Sequence, residues 1–161
     1  MQKGMYSHIG KAIAAIGICE AAGVIGSIFT TPNIASWYRT LTLPSFAPPS
    51  WVFAPVWITL YFLMGLALYL ILIEGESGIP VTRALTIFAV QLILNTLWSF
   101  LFFGLRSPLL GLIGIVILWF TILLTIGEFY RISRPAAYLL VPYIAWVTLA
   151  TALNYGIWAL N

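Results

Sequence analysis

Five apolar runs, each about as long as a hydrocarbon core is thick, constrain this chain more than anything else in it. They span roughly Ile9–Phe29, Phe53–Ile73, Val81–Phe103, Leu109–Phe129 and Ala136–Leu160. A helix rising 1.5 Å per residue crosses a ~30 Å core in ~20 residues. The breaks carry turn chemistry: Thr-Pro-Asn from Thr31, Glu74 to Pro80, Arg106 to Pro108, and Arg131 to Pro135. No run alternates apolar and polar residues at period two, as a membrane barrel strand does. In lipid the remaining way to satisfy the backbone is the helix. The expectation is an all-α membrane protein, a bundle of five transmembrane helices forming a single domain over residues 1–161. A Trp/Pro-rich loop over residues 31–52 joins the first two helices.

The solvent is fixed by charge. Only 7% of the residues are charged, against about 25% in a soluble domain. The first run is expected to be a retained helix rather than a signal peptide. It is long, holds Glu20, and Ser27-Ile28-Phe29 is not a small-x-small cleavage site. Lys3, Lys11, Arg83, Arg131 and Arg134 fall on the N-terminal side, and Arg39 and Arg106 on the other. That bias places the N-terminus in the cytoplasm and the Trp/Pro loop outside; the membrane is expected to be that of a prokaryotic cell. The net charge of +3 is the ordinary basic face of a membrane protein beside lipid headgroups and calls for no nucleic acid. Conventional catalysis has almost no support. There is one His (His8), one Cys (Cys19) and no Asp, too few for a metal site, a His-based triad or an internal disulfide. No phosphate loop or dinucleotide fingerprint occurs.

What remains is aromatic. Residues 37–61 hold Trp37, Trp51 and Trp57, and Pro44, Pro48, Pro49 and Pro55, with Arg39 their only charge. The four prolines are expected to hold the chain out of regular helix. Such a stretch reads as an interfacial aromatic belt or as the wall of a site for a flat, greasy ligand, and composition favours the belt. On the third run Gln91, Asn95, Trp98, Ser99 and Phe102 share one helical face. Two amides there need partners, either across helices or on a ligand. Trp57, Tyr61 and Met64 share a side of the second run, and Trp146 and Ala150 lie a turn apart on the fifth. Spacing does not say whether these faces meet. Glu20 is the one acid inside a run, at a cost of about 3 kcal/mol on insertion scales. It reads as a packing residue, protonated or hydrogen-bonded, in preference to an ion relay. Ala12, Ala15, Cys19, Ala22 and Gly26 form a stripe of small residues beside it. The stripe is a packing seam, within the bundle or at a dimer interface.

Three motifs carry a resemblance. WYxxLxxPSxxPPxWxFxPVWxxLYxxMG runs from Trp37 to Gly65, QLxLNxxWSxLFF from Gln91 to Phe103, and PYxxWVxxATxLNxxIWxLN from Pro142 to Asn161. In this order, along essentially the whole chain, they resemble the tryptophan-rich sensory protein family, also called the translocator protein or peripheral benzodiazepine receptor family. The resemblance implies a five-helix homodimer whose cavity lies among the helices under the first loop. It implies binding of protoporphyrin IX and of isoquinoline carboxamides and benzodiazepines, with no required cofactor. By motif, the binding residues are Trp37 and Tyr38 in the loop, then Phe53, Trp57 and Tyr61, then Asn95, Trp98 and Ser99, and finally Trp146 and Ala150. Trp57 and Trp146 match the two tryptophans implicated in light-dependent porphyrin degradation.

Three departures narrow what transfers. Phe46 stands where the loop motif has a Trp. Leu112 to Ile115 hold no acid, where many members have one in the fourth helix. No Lys or Arg follows Tyr155, so the pattern proposed for cholesterol is not met and sterol transport is not expected. The expected mechanism is binding by shape, with the porphyrin stacked on Trp57 and Trp146, Asn95 and loop amides orienting its polar edges, and chemistry supplied by the ligand. A carrier of porphyrins or other lipophiles, and a regulatory partner in a membrane complex, are the alternatives.

Overall fold

Each apolar run folds as helix, and prolines and serines set most of the boundaries. The computed structural model describes residues 2–161, with side chains from Tyr6 onward; the side chain of Lys3, counted above in the charge bias, lies outside the described residues. Helix α1 is Gln2–Ala35, α2 Phe53–Glu76 and α3 Thr82–Ser99, the last continued by a π turn over Phe100–Gly104. Helix α4 is Pro108–Ile132. Short α5, Arg134–Leu139, and α6, Val141–Leu160, together make the fifth span. All five spans are long and apolar enough to cross a membrane.

Proline accounts for three differences from the expected boundaries. The Thr-Pro-Asn break does not end α1, which continues through Pro32 to Ala35. A proline in a helix leaves carbonyls of the preceding turn short of donors, and side chains can replace them. Asn33 Nδ2 donates to the Phe29 carbonyl at 2.9 Å, and Thr30 Oγ1 to that of Gly26 at 3.1 Å. The loop is therefore shorter than residues 31–52. Pro55 lies inside the first turn of α2 rather than outside regular helix, where a missing N–H costs nothing. Pro142, in the first turn of α6, divides the fifth span at Leu140. Where α4 begins, the Ser107 hydroxyl accepts from the Leu110 N–H at 3.3 Å and Pro108 opens the helix.

The small-residue stripe of α1 is spent inside the bundle. Ala15 and Cys19 are fully buried and Gly26 is buried beside Ser99 of α3, 3.0 Å from where a Cβ would sit. A Cβ on Gly65 would run into the backbone of Ile16, so that glycine lets α1 and α2 touch. The stripe is thus unavailable as a dimer interface. The opposite face of α1, with Ile13, Val24 and Ile28, is exposed. At the end of the bundle that carries the start of α1, Lys11 pairs with Glu76, and Glu128 takes Arg83 at 3.1 Å and Arg131 at 3.3 Å.

Candidate functional site

The three faces that spacing left separate meet around one cavity of about 360 Å³, within the usual range for small-molecule sites. Their meeting is enforced by hydrogen bonds. Tyr61 Oη on α2 donates to Asn95 Oδ1 on α3 at 2.6 Å. Asn95 Nδ2 donates to Tyr143 Oη on α6 at 2.6 Å, and Tyr143 in turn to Gln91 Oε1 at 3.0 Å. Beside this chain, Trp98 Nε1 donates to Asn154 Oδ1 at 3.3 Å, and Asn154 Nδ2 to the Ala150 carbonyl at 2.8 Å. Buried amides and phenols without partners would be costly; here they stitch three helices into a polar floor.

On that floor stands an aromatic wall. Trp57 stacks on Trp98, centroids 6.4 Å apart and planes at 29°, and tilts against Tyr61 at 5.6 Å. Trp98 stacks on Phe102 at 5.7 Å. Phe53 meets Trp146 edge-on at 5.8 Å. The π turn at the end of α3 buries two consecutive rings, Phe102 and Phe103, and both line the cavity. Such turns recur at functional sites.

The loop closes the top. Tyr38, in a short 3₁₀ turn, reaches in and packs on Phe103 at 5.9 Å. Two contacts with the end of α6 hold the loop down. Pro44 lies against Gly156, where a Cβ would overlap it. Asn161 accepts from the Thr42 N–H at 2.9 Å and donates to the Thr42 carbonyl at 3.0 Å. A further tie, Arg106 Nε to Asn33 Oδ1 at 3.1 Å, joins the end of α1 to the α3–α4 turn.

Of the ten expected binding residues, Tyr38, Phe53, Trp57, Tyr61, Asn95, Trp98, Ser99, Trp146 and Ala150 line the cavity. Trp37 does not. It stands behind the wall, edge-on to Phe102 at 5.4 Å, because its 3₁₀ neighbour Tyr38 takes the inward position. Asn95 lines the cavity with its amide already committed on both sides. Two other polar atoms have no partner among the described residues: Tyr38 Oη and Trp146 Nε1 are buried and unbonded. Burial pushes the Tyr38 phenol above its ordinary range, so it remains a neutral donor. Phe46, in place of the motif Trp, is exposed and leaves the cavity untouched. The α1 wall, with Glu20, Gly23, Ser27 and Thr31, did not figure in the expected site, nor did Tyr143. The spacing of Glu20, Ser27, Thr31 and Ile34 along one face of α1 is the signal that points to it. Among the described residues no three His, Cys, Asp or Glu side chains gather to hold a metal.

Comparison with known proteins agrees with this architecture. A profile of the TspO/MBR family matches residues 15–159. The chain is 50% identical over 147 residues to tryptophan-rich protein TspO of Chlorobaculum tepidum, covering 91% of this chain and 92% of that one. It is 44% identical over 155 residues to the protein of the same name from Archaeoglobus fulgidus, with 96% and 99% covered. It is 38% identical over 138 residues to the translocator protein of Homo sapiens, with 85% and 82% covered.

Proposed function

The chain belongs to the TspO/MBR family, and on that premise we propose that it binds flat, lipophilic ligands of the tetrapyrrole class, protoporphyrin IX above all, inside this cavity. The observation that carries the reading is the aromatic wall of the cavity, Phe53, Trp57, Trp98 and Trp146, where two lining side chains hold donors, Tyr38 Oη and Trp146 Nε1, that are unbonded among the described residues. A buried donor without a partner costs about 1–3 kcal/mol. A ligand whose edge carbonyl or carboxylate reaches either donor relieves that cost. Stacking on the wall adds about 0.5–1.5 kcal/mol per aromatic pair beyond buried area. Isoquinoline carboxamides and benzodiazepines, flat and carbonyl-bearing, suit the same arrangement. Asn95 acts from behind, holding Tyr61 and Tyr143 in place, rather than as the ligand's anchor.

No general acid or base is needed for binding. Under light, an excited porphyrin held against Trp57 or Trp146 can take one electron from the indole, giving a porphyrin radical anion and an indole radical cation; degradation beyond that pair uses dissolved dioxygen as the oxidant and needs no conventional catalytic group. Saturable quenching of tryptophan fluorescence by protoporphyrin IX in the dark, followed by light-driven loss of the porphyrin, tests both halves. Loss that persists unchanged in Trp57→Phe and Trp146→Phe would rule out the indole route while leaving binding intact. A carrier of lipophiles predicts gradient-dependent flux in proteoliposomes instead, and a regulatory protein predicts a co-purifying partner released by ligand. A homodimer, with the α1 stripe already consumed, has the exposed α3 residues Val90, Ile93 and Leu97 as its candidate interface.

A further inference from the structure

Glu20 takes no part in the polar floor or the loop closure, yet its side chain lines the cavity. It sits near the middle of the span Tyr6–Ala35, with about 20 Å of helix on either side at 1.5 Å per residue. Among the described residues no hydrogen bond or ion pair engages its carboxyl; the ion pairs engage Glu76 and Glu128, near the helix ends. No Lys or Arg lines the cavity. The site therefore carries one acid and no base.

Its position is also reachable. Helices α1 and α2 touch below it, where Ile16 meets Gly65, and beside it, where the Tyr61 ring covers Gly23. Above it they part. Val24 and Ile58 line the cavity and are nevertheless 63% and 61% exposed. The cavity thus opens sideways between α1 and α2, with Glu20 at the foot of the opening. A carboxyl at that depth either stays protonated or waits for a cation. A charge-assisted hydrogen bond formed there is strengthened by the low dielectric around it.

We propose that Glu20 gives the cavity a preference, among flat lipophiles of one frame, for the one carrying a protonated amine, which lies against the carboxylate at the α1–α2 opening while the ring occupies the aromatic wall. This rests on the cavity being a ligand site. The ligand's polarity follows: a cationic donor at the Glu20 edge and, for the tightest fit, an acceptor at the edge facing Tyr38 and Trp146. Headgroup amines of phospholipids are excluded by depth, since Glu20 lies near mid-span. A metal ion is disfavoured because among the described residues no group of three His, Cys, Asp or Glu side chains includes Glu20.

The test uses two ligands with one frame, radiolabelled aminomethyl-phenylnaphthalene and its neutral ethyl isostere. Their binding to the full chain in neutral-lipid nanodiscs is measured by filtration, with empty nanodiscs subtracted. The wild type is expected to hold the amine about tenfold more tightly than the isostere, the scale of one charge-assisted hydrogen bond. Glu20→Gln should erase that preference, with a thermal melt certifying that the variant is folded. Glu20→Asp should restore part of it. Equal affinities in the wild type, or a preference that survives Glu20→Gln, would overturn the proposal and leave the cavity reading standing. Saturable binding of neither ligand would overturn both.

Discussion

Single atoms separate the binding residues from the structural ones. Among the described residues Trp146 Nε1 and Tyr38 Oη have no partner, whereas Tyr143 Oη has two. Trp146→Phe should therefore leave thermal stability in detergent unchanged or slightly raised, and weaken a carbonyl-bearing ligand about tenfold, the loss of one hydrogen bond. Tyr143→Phe should do the reverse. It strands the Asn95 amide and Gln91 carbonyl, costs about 1–3 kcal/mol, and lowers the melting temperature with or without ligand. Thermal melts and a binding isotherm on the two variants check both signs. At this scale the sequence was a partial guide. The amides on one face of α3 implied that partners exist, because nothing else makes them tolerable in lipid. Which partner each takes depends on how three helices rotate, and a spacing pattern within one helix holds no record of that. Trp37 and Tyr38 illustrate the limit: adjacent aromatics in one motif, of which the 3₁₀ turn sends only the second inward.

Between elements, glycine and a single asparagine govern the geometry. Gly65 admits the backbone of Ile16, so Gly65→Leu should separate α1 from α2 and cost stability on the scale of an overpacked core, about 1–3 kcal/mol. A lowered melting temperature checks it. The loop depends on the reciprocal bonds of Asn161 with Thr42. Asn161→Ala should free the loop and raise the ligand dissociation rate severalfold, with little effect on the aromatic wall, as stopped-flow displacement would read. Element existence was legible throughout, since length and apolarity leave no other structure in lipid. The boundaries were less so, and proline is the reason. Thr-Pro-Asn reads as a stop, but Pro32 is accommodated by Asn33 and Thr30 bonding back to α1 carbonyls, and Pro142 divides a run that reads as continuous.

Over the whole molecule, ion pairs and loop separate the two ends. The end with Lys11, Glu76, Arg83 and Glu128 is tied by salt bridges, and the end with the loop covers the cavity. The basic bias assigns the first to the cytoplasm, so a thiol at Ser77→Cys should resist an impermeant reagent in intact cells while one at Ser45→Cys reacts. The central claim is that the cavity enclosed by these helices is where the ligand binds. Ala150 is buried and lines it, so Ala150→Trp fills it from within. The most direct measurement is a protoporphyrin IX titration of wild type and Ala150→Trp in nanodiscs, each with a thermal melt to report folding. Saturable quenching in the wild type, lost in a folded Ala150→Trp, is the predicted result. Equal saturable binding by both would contradict it, placing the porphyrin on the outer surface of the bundle.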